Sequence, residues 1–427
     1  MEEKYKLPSD WQIKTINEVC NIYTGNSINK KKKEENFIGL KEGLNYIGTK
    51  DISFNNIIEY ENGVKIPFKD LKDFKIAKSN TSLLCIEGGS AGRKIGFTNQ
   101  DVCFGNKLCC FEAIEDEPKF IYFYLQSNDF LREFNSNIQG LIGGVNKENL
   151  RKIKIPIPPL DEQKRIASAL SKIDAYLENT IKLIEEKERF KRGIAKKLLT
   201  CKEGENIPEA RFKGFEGEWE IVKLGDIGTI TATGVDKKIN DNETPIKLLN
   251  YLDVFNRNKL YEKEISYMTT ATEKQLEKCN IRKGDLFITP SSEDKKGIAK
   301  SSVAMEDFKN TVYSYHIIRV RFNKEIDLKF KSYMCDTDFF HRQAYRLCDG
   351  SGQRYFIKLD NFRNMEICIP KSIKEQEKIG GYLSLLDAEI DNLKKQKELI
   401  KEMKKGAMQK LLPGEVRLSK NAFNENI

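Results

Sequence analysis

A glycine-rich stretch with two adjacent cations is the segment of this sequence whose residue types best suit the binding of phosphate. It reads EGGSAGRKIGF at residues 87–97 and follows an apolar, strand-like run, TSLLCI, at 81–86. Glycines allow a backbone to turn closely around an anion, and neighbouring cations neutralise its charge. The stretch departs from the nucleotide-binding pattern GxxxxGKS/T, because Arg93 stands where the lysine belongs and no Ser or Thr follows Lys94.

A second copy of this stretch favours DNA contact over nucleotide binding. The matching residues, PSSEDKKGIAK at 290–300, also follow an apolar run and keep a basic pair, Lys295 and Lys296, without the glycine-rich turn. A nucleotide site would not lose its glycines while the strand before it remained. A basic loop that follows a strand and differs between two copies is typical of DNA contact, and the alternative is an ordinary solvated loop.

Candidate DNA-contacting residues follow from side-chain chemistry. Arg and Lys bind guanine edges or phosphates, whereas Asn and Gln bind adenine edges. Near predicted loops after strands, these criteria select Arg93, Lys94, Asn99, Asn106, Lys107 and Gln139 in the first half, and Lys295, Lys296, Lys300, Tyr315, His316, Gln353 and Arg354 in the second. Two pairs of adjacent candidates, Asn106-Lys107 and Tyr315-His316, occupy matching positions in the two halves of the chain. For any single residue, a surface position without DNA contact is an equal alternative.

The histidines and cysteines do not predict metal binding or nucleophilic catalysis. The two histidines, His316 and His341, both lie in the second half, and the ten cysteines include no CxxC pair. We therefore expect no zinc site, no catalytic residue and buried, reduced thiols. The net charge of +9 permits nucleic acid as a partner, but a solvated lysine-rich surface explains it equally well.

The sequence segments that would position these residues occur twice along the chain. WQIKTINEV at 11–19 returns as WEIVKLGDI at 219–227, and these two segments contain the only tryptophans. A fixed order of globular unit, long helix, globular unit and long helix is the simplest explanation. Further matched positions are Gly25 with Gly234, IPIP at 155–158 with ICIP at 367–370, Glu162-Gln163 with Glu375-Gln376, Asp174 with Asp387, and Gly193 with Gly406.

Each half of the repeat ends in a long segment with helical apolar spacing. Residues 158–199 and 372–414 alternate apolar positions three and four apart, as in the seam of a coiled coil. We expect two helices, each roughly 60 Å long, that pair in antiparallel orientation, and the alternative is packing of each stripe on its own domain. A capping box of Ser372 with Glu375 is predicted to begin the second helix. The predicted helix-pairing residues are Ile166, Leu170, Ile173, Leu177, Ile184, Ile379, Leu383, Leu386, Ile390 and Leu393.

The predicted fold class is α+β, with two similar domains that alternate with the two long helices in a pseudo-twofold internal repeat. Short β-like runs separated by Gly, Asn and Asp turns indicate mostly antiparallel strands, with a few shorter helices such as residues 119–134. The predicted boundaries are 1–157 for the first domain, 158–203 for the first helix, 204–370 for the second domain, 371–413 for the second helix and 414–427 for a tail.

These repeated features resemble the specificity subunit of Type I restriction–modification enzymes. The resemblance rests on IPIPPLDEQKRI at 155–166, on KKLL at 196–199 near the end of the long helix, and on the tryptophan-containing openings of both domains. It covers essentially the whole chain and is specific in the helices and boundaries, but weak inside the domains. The second copy departs from the pattern, since Lys371-Ser372 follows Pro370 where the first copy has a second proline.

The resemblance implies a non-catalytic subunit that binds double-stranded DNA. Each globular domain would be a target-recognition domain that reads one half of a bipartite site from the major groove, and the helix pair would set the spacer. The helices would also dock two methyltransferase subunits, which use S-adenosylmethionine and flip out an adenine. Restriction and translocation subunits would bring ATP and Mg²⁺, so no cofactor is expected in this chain.

Two other function classes remain as alternatives at this point. One is a coiled-coil scaffold with two protein-binding heads and no DNA contact, which a salt-dependent gel shift would distinguish from a DNA-binding subunit. The other, less favoured, is a hidden nuclease site. The opening MEEKYKLPSDW lacks the apolar core of a signal peptide, and no uncharged apolar run approaches the ~20 residues of a membrane span. We therefore expect a cytoplasmic protein.

Overall fold

The structure is a computed structural model that describes residues 7–138, 143–202, 204–351 and 353–418. It divides into two compact units: unit 1, Met1–Ile181 with Lys395–Ile427, and unit 2, Lys182–Lys394. Each unit therefore combines one globular part with a segment of both long helices. Among the residues described, no helix is both long and apolar enough to cross a membrane.

The globular part of unit 1 contains ten short strands and five short helices among the residues described. Its strands are β1 (Gln12–Thr15), β2 (Cys20–Thr24), β3 (Leu44–Ile47), β4 (Lys65–Ile66), β5 (Ile76–Ala77), β6 (Ser82–Cys85), β7 (Ile95–Phe97), β8 (Val102–Phe104), β9 (Leu108–Ala113) and β10 (Lys154–Ile157). Its helices are α1 (Ile16–Val19), α2 (Lys30–Asn36), α3 (Pro118–Tyr124), α4 (Asn128–Ser136) and α5 (Lys147–Lys152), and the first long helix is α6 (Leu160–Leu199).

The globular part of unit 2 contains a corresponding series. Its strands are β11 (Glu220–Lys223), β12 (Gly228–Thr231), β13 (Thr244–Leu249), β14 (Lys259–Leu260), β15 (Met268–Ala271), β16 (Asn280–Ile281), β17 (Leu286–Ile288), β18 (Ser291–Ser292), β19 (Ser301–Ala304), β20 (Phe308–Tyr313), β21 (Ile318–Phe322), β22 (Asp349–Ser351), β23 (Arg354–Phe356) and β24 (Glu366–Ile369). Its helices are α7 (Leu224–Ile227), α8 (Tyr251–Phe255), α9 (Glu273–Lys278), α10 (Leu328–Met334), α11 (Asp338–Leu347) and α12 (Leu359–Asn364), and the second long helix is α13 (Ile373–Leu411).

The two units repeat the same sheet topology, which confirms the α+β internal repeat. In each, the first and last strands of the globular part pair in antiparallel fashion, β1 with β10 and β11 with β24. The sheet order β2-β9-β6-β7 in unit 1 corresponds to β12-β21-β17-β19 in unit 2. A second sheet in each unit contains one parallel pair, β3 with β8 and β13 with β20. Unit 2 adds a small sheet of order β18-β23-β22.

An inner strand of each main sheet, β6 or β17, is apolar except for Ser82 because it lies between two cores. In β6, Leu84 belongs to a cluster with Trp11 and Leu170, whereas Leu83 and Cys85 belong to a second cluster on the other face. Successive strand residues point to opposite faces, so a continuous apolar run is what such a position requires. β17 repeats the arrangement, with Leu286 and Ile288 on one face and Phe287 on the other.

The long helices run antiparallel in both units. In unit 2, Lys187 of α6 pairs with Glu389 of α13, and Lys191 pairs with Asp387. Residue numbers therefore increase along α6 in the direction in which they decrease along α13. In unit 1, Lys404 of α13 binds Asp174 of α6 at 2.7 Å. The antiparallel helix pair predicted from the sequence is therefore confirmed.

Two local predictions about helices were wrong. The segment 119–134 is two helices rather than one, because Ser127 caps α4 by accepting a hydrogen bond from the Phe130 amide. The predicted capping box at Ser372 does not form through Glu375. Its carboxylate accepts hydrogen bonds from Trp219 and Arg211 instead.

The predicted helix-pairing residues divide between two environments. Near the start of each helix they join the core of the preceding globular part, and further along they are buried or half-buried outside those cores. Joined to the globular cores are Ile166, Leu170, Ile173, Ile379, Leu383 and Leu386. Leu177, Ile184 and Ile390 are also buried, and Leu393 is half-buried. Packing of the stripe on its own domain, the alternative considered from the sequence, therefore occurs at the start of each helix.

Candidate DNA interface

The loop after β6 presents two cations beside an exposed aromatic ring. The Arg93 guanidinium lies 5.1 Å, and the Lys94 ammonium 4.9 Å, from the ring centroid of Phe54, whose side chain is 61% exposed. Lys94 also donates a hydrogen bond of 3.0 Å to the Thr49 carbonyl, which fixes its position. Arg93 is exposed and Lys94 is half-buried. Cations beside an aromatic face can bind phosphate and contact bases. Phe54 was not selected from the sequence, where its exposure has no signature.

The turn before β9 brings two more candidates close to this loop. Asn106 and Lys107 are exposed, and the Lys107 ammonium lies 3.9 Å from the Glu87 carboxylate at the start of the loop. The Gly88 amide in turn donates to the Gly143 carbonyl at 2.8 Å, which places the described end of the glycine-rich segment 140–144 against the same loop. The structure therefore gathers Arg93, Lys94, Asn106 and Lys107 at one end of the main sheet, and we call these four residues the unit 1 loop cluster.

Two first-half candidates are not part of this cluster. Asn99 follows β7 at the opposite end of the β6–β7 hairpin. Its backbone N–H donates a hydrogen bond to the Tyr60 hydroxyl at 3.0 Å. It lines a cavity of about 430 Å³ together with Lys119 and Asp174. Gln139 lies outside the described residues.

A larger basic cavity adjoins the unit 1 loop cluster. It has a volume of about 980 Å³ and extends from Phe54 and Arg93 to the last turns of α13. The cations that line it are Arg93, Arg132, Lys401, Lys404, Lys405 and Lys410, against the carboxylates of Asp129 and Glu415. The excess of cations suits a polyanion better than a neutral ligand.

In unit 2, the small sheet of β18, β22 and β23 gathers the corresponding residues. The Arg354 guanidinium donates to the Ser291 hydroxyl at 3.0 Å, and the Lys295 ammonium lies 5.2 Å from the Tyr355 ring centroid. Gln353 is exposed on the same turn. Lys296 lies in the same 3-10 turn as Lys295, Lys295–Gly297, and its side chain is outside the described part. Tyr355 repeats the aromatic-beside-cation arrangement and was missed from the sequence.

Tyr315 and His316 lie in the loop between β20 and β21, close to Arg354. Their ring centroids are 3.9 Å apart, and the Tyr315 side chain is 47% exposed. Partial burial lowers the pKa of His316, and the charges of Lys237 and Arg354 lower it further. A neutral imidazole at pH 7 can donate to or accept from a base edge but does not neutralise phosphate. Lys295, Tyr315, His316, Gln353 and Arg354 form what we call the unit 2 loop cluster.

Lys300 is held apart from these residues. It precedes β19, where its amide donates to the Thr289 hydroxyl at 3.1 Å and its side chain is half-buried. The hydrogen bond from His341 lowers the pKa of Asp336, and the charge of Lys300 lowers it further. This position suits support of the sheet rather than contact with a ligand.

One glycine in each half positions the loop that carries the matched candidate pair. A Cβ added at Gly25 would lie 1.9 Å from the Phe104 carbonyl oxygen, and one at Gly234 would lie 2.3 Å from the Ser314 carbonyl carbon. Phe104 and Ser314 come just before Asn106 and Tyr315. The matched glycines are thus required because another backbone passes close to them.

A buried glutamate at the start of each long helix anchors the globular part. In unit 1, Glu162 accepts a hydrogen bond from Trp11 Nε1 at 3.2 Å and from Arg417. In unit 2, Glu375 accepts from Trp219 Nε1 at 3.2 Å and from Arg211 at 2.8 Å. Both arginines lie after the long helices, on segments that the sequence repeat does not align, so they were missed. We call these the two Trp–Glu–Arg anchors.

The family to which the chain belongs is shown by comparison with known proteins. The profile described as "Type I restriction modification DNA specificity domain" matches residues 8–186 and 216–402. The specificity subunit of the Type I restriction enzyme MjaVIII from Methanocaldococcus jannaschii is 26% identical over 426 residues, which are 98% of this chain and 96% of that protein. The EcoKI specificity subunit from Escherichia coli is 23% identical over 92% of this chain and 85% of its own length.

Solved structures agree at the level of the fold. The S subunit of a Type I restriction–modification system from M. genitalium superposes with a TM-score of 0.57 at 16% sequence identity, covering 97% of this chain and 98% of that one. The sequence profile, the duplicated topology and the paired helices thus lead to one conclusion. This chain belongs to the Type I restriction–modification DNA specificity family.

Proposed function

We propose that this chain, a DNA specificity subunit, reads a bipartite site, with the globular part of each unit recognising one half. The observation that carries the proposal is that both units place basic and aromatic side chains at the same end of the same sheet. In unit 1 they follow β6 and precede β9, and in unit 2 they follow β17 and precede β21. The loop residues differ between the units, as two heads that read different bases require.

Individual roles follow from chemistry. Arg93 and Arg354 are the residues best suited to a guanine edge, because an exposed guanidinium can donate two parallel hydrogen bonds. Lys107 and Lys295 suit phosphate contacts, which fix the register on the duplex. Asn106 and the neutral His316 suit base edges.

We further propose that the paired helices set the DNA spacer and dock two methyltransferase subunits. Apolar side chains remain exposed along both helices, and they support this proposal because large exposed apolar patches mark interaction sites. Examples are Leu183, Phe190, Leu385, Leu399 and Met403. An isolated helix pair in water would not retain these residues for its own stability.

The chemistry of the assembled complex is assigned to the other subunits in this proposal. The present chain would contribute no active site, while S-adenosylmethionine would bind the methyltransferase subunits, and ATP with Mg²⁺ the restriction subunits. The complex would act on double-stranded DNA in the cytoplasm. A scaffold without DNA contact is not favoured, because it gives no reason for matched basic clusters in both units.

The experiment that tests the proposal compares Arg93→Ala with Arg354→Ala in the complex with the methyltransferase subunits. Methylation is measured on DNA libraries in which each half of the site is randomised separately. Each variant should lose about 1–3 kcal/mol of discrimination in one half only. Lys31→Ala, which removes an exposed charge on α2, is the matched control and should change neither half. Equal loss of discrimination at both halves would refute the modular assignment.

A further inference from the structure

Two cysteines of unit 2 lie in direct contact. The Sγ atoms of Cys201 and Cys368 are 2.9 Å apart, although the residues are 167 positions apart in the sequence. Cys201 follows the end of α6, and Cys368 lies in β24, the last strand of the globular part. Buried, reduced thiols were expected from the sequence. Both of these are only half-buried, as is Cys348, whereas the other seven cysteines are buried.

The surroundings of this pair favour thiol chemistry. Both cysteines line a cavity of about 780 Å³, through which a small molecule can reach them. The cavity also contains Lys196 and Lys202, which pair with Asp338 and Glu205. The thiolate is the nucleophile in disulfide exchange. The hydrogen bond from Cys368 lowers the pKa of Cys201 against the opposing effect of burial. By contrast, burial raises the pKa of Cys109 to about 12.

The internal repeat shows that the fold does not require thiols at these positions. In β10, the strand that corresponds to β24, Pro156 faces Ile13 in the way that Cys368 faces Ile221. After the matching Leu-Leu pairs at the helix ends, Thr200-Cys201 in unit 2 is replaced by Pro413-Gly414 in unit 1. The same junction is therefore built without sulfur in one unit and with two adjacent thiols in the other.

We propose that Cys201 and Cys368 form a reversible intramolecular disulfide when the chain meets a small-molecule disulfide oxidant. The Cys201 thiolate attacks the oxidant, forming a mixed disulfide and releasing one small thiol. Cys368, whose pKa is raised by the hydrogen bond with Cys201 and by burial, then gives up its proton and displaces the second small thiol, which completes the protein disulfide. Two protein thiols thus lose two electrons and two protons, and the oxidant is reduced to two thiols.

The new bond would join the end of α6 directly to the last strand of the unit 2 globular part. It would close a loop that contains residues 202–367, which is nearly the whole of that globular part. Cross-links that close long loops restrict the unfolded chain, so the oxidised protein should unfold at a higher temperature, by roughly 5–10 °C. The unit 1 globular part, with Pro156 and Gly414, would gain nothing.

The test uses the full-length chain incubated in defined mixtures of oxidised and reduced glutathione. Remaining thiols are blocked with N-ethylmaleimide, and the protein is digested with trypsin and analysed by mass spectrometry. Cys201 falls on the peptide 198–202 and Cys368 on the peptide 364–371, and each peptide contains a single cysteine. We expect these two peptides to appear cross-linked on oxidation and separate again on reduction, with a higher melting temperature in the oxidised sample.

The controls separate disulfide formation from damage to the fold. Cys201→Ser and Cys368→Val should each abolish the cross-linked peptide and the rise in melting temperature, while their reduced forms melt close to the reduced wild type. Cys348→Ser removes a comparably exposed thiol and should change nothing. The proposal is overturned if Cys201 stops at a glutathione mixed disulfide, if both thiols stay free in excess oxidant, or if the cross-link joins two chains on a non-reducing gel.

Discussion

At the scale of single residues, two matched pairs of glycines occupy the repeat for different physical reasons. Gly25 and Gly234 lie where another backbone leaves no room for a Cβ. Gly193 and Gly406 lie in the long helices, where a Cβ would meet nothing within 4 Å. The sequence identifies all four as matched, but only the structure distinguishes a packing requirement from open helix surface.

Alanine substitutions at these glycines should therefore have opposite effects within unit 1. Gly25→Ala should lower the free energy of unfolding by about 3 kcal/mol, because the Phe104 backbone must move. Gly406→Ala should raise it by about 0.5–1 kcal/mol through helix propensity. Urea unfolding of both variants measures the two effects, and equal destabilisation by both would contradict the explanation.

The Trp–Glu–Arg anchors give a second residue-scale prediction. Glu375→Gln should destabilise unit 2 by about 3 kcal/mol, because the substitution leaves Arg211, whose side chain is 16% exposed, without its charged partner. Glu377→Gln, an exposed neighbour in the same helix turn, is the matched control and should have little effect. Thermal unfolding monitored by circular dichroism checks the difference. A loss equal to that of the control would show that the anchor does not stabilise the unit.

At the scale of elements, Asp174 and Asp387 occupy matching positions in the two long helices. Each pairs with a lysine of the other helix, but the ionised carboxylate is stabilised to different extents. Burial raises the pKa of Asp174, and Lys404 only partly offsets this effect. Burial also opposes ionisation of Asp387, but hydrogen bonds from Lys191 and Tyr333 outweigh it and lower the pKa. Lys259 adds a third contact to Asp387 at 3.4 Å. Asp387 thus ties both long helices to the globular part of unit 2.

Asp387→Asn should therefore cost about 2 kcal/mol of unfolding free energy at pH 7, and Asp174→Asn less. A lowered folded-state pKa means that the stabilisation is complete above the unfolded-state pKa of 3.8 and is lost as the pH falls below it. The difference between wild type and Asp387→Asn should stay constant from pH 7 to near pH 4 and shrink at lower pH. Urea unfolding across this range tests it, with the exposed Asp391→Asn as control. A difference that already declined between pH 7 and pH 5 would contradict the assignment.

Elements were predictable from sequence where one periodicity dominates. The apolar spacing of α6 and α13 predicted both helices to within a few residues, and the run at 81–86 predicted β6. The break between α3 and α4 coincides with the polar run QSND at 126–129, in which Ser127 caps the new helix, and the prediction of a single helix overlooked this signal. The contact of Arg211 with Glu375 could not be predicted, since Arg211 lies in a segment without any repeat signal.

At the scale of the whole molecule, sequence predicted the duplication but not which loop residues come together. Arg93 lies before β7, and Lys107 lies before β9 in a different loop. The two loops come together because β9, β6 and β7 are neighbours in one sheet. Asn99 satisfied the same chemical criteria yet lies at the other end of the hairpin. Side-chain type therefore selects candidates, and topology decides which of them share a surface.

The proposed role of the helices in setting the spacer predicts the effect of lengthening both at once. Four residues inserted after Ile181 and four before Lys395, at the boundary of the two units, add about 6 Å to each helix. At about 3.4 Å per base pair, the preferred spacer should lengthen by about two base pairs while both half-sites stay unchanged. The same insertion between residues 213 and 214, an exposed turn, should leave the spacer unaltered. An unchanged spacer in the helix variant would refute this role.

DNA recognition by this chain is tested most directly by methylome sequencing of cells that carry it with the proposed methyltransferase partner, compared with cells in which the chain is disrupted. One bipartite motif, two short specific halves around a fixed gap, should be methylated only when the chain is intact. Absence of any motif, in cells where the complex still assembles, would contradict DNA recognition by the two loop clusters.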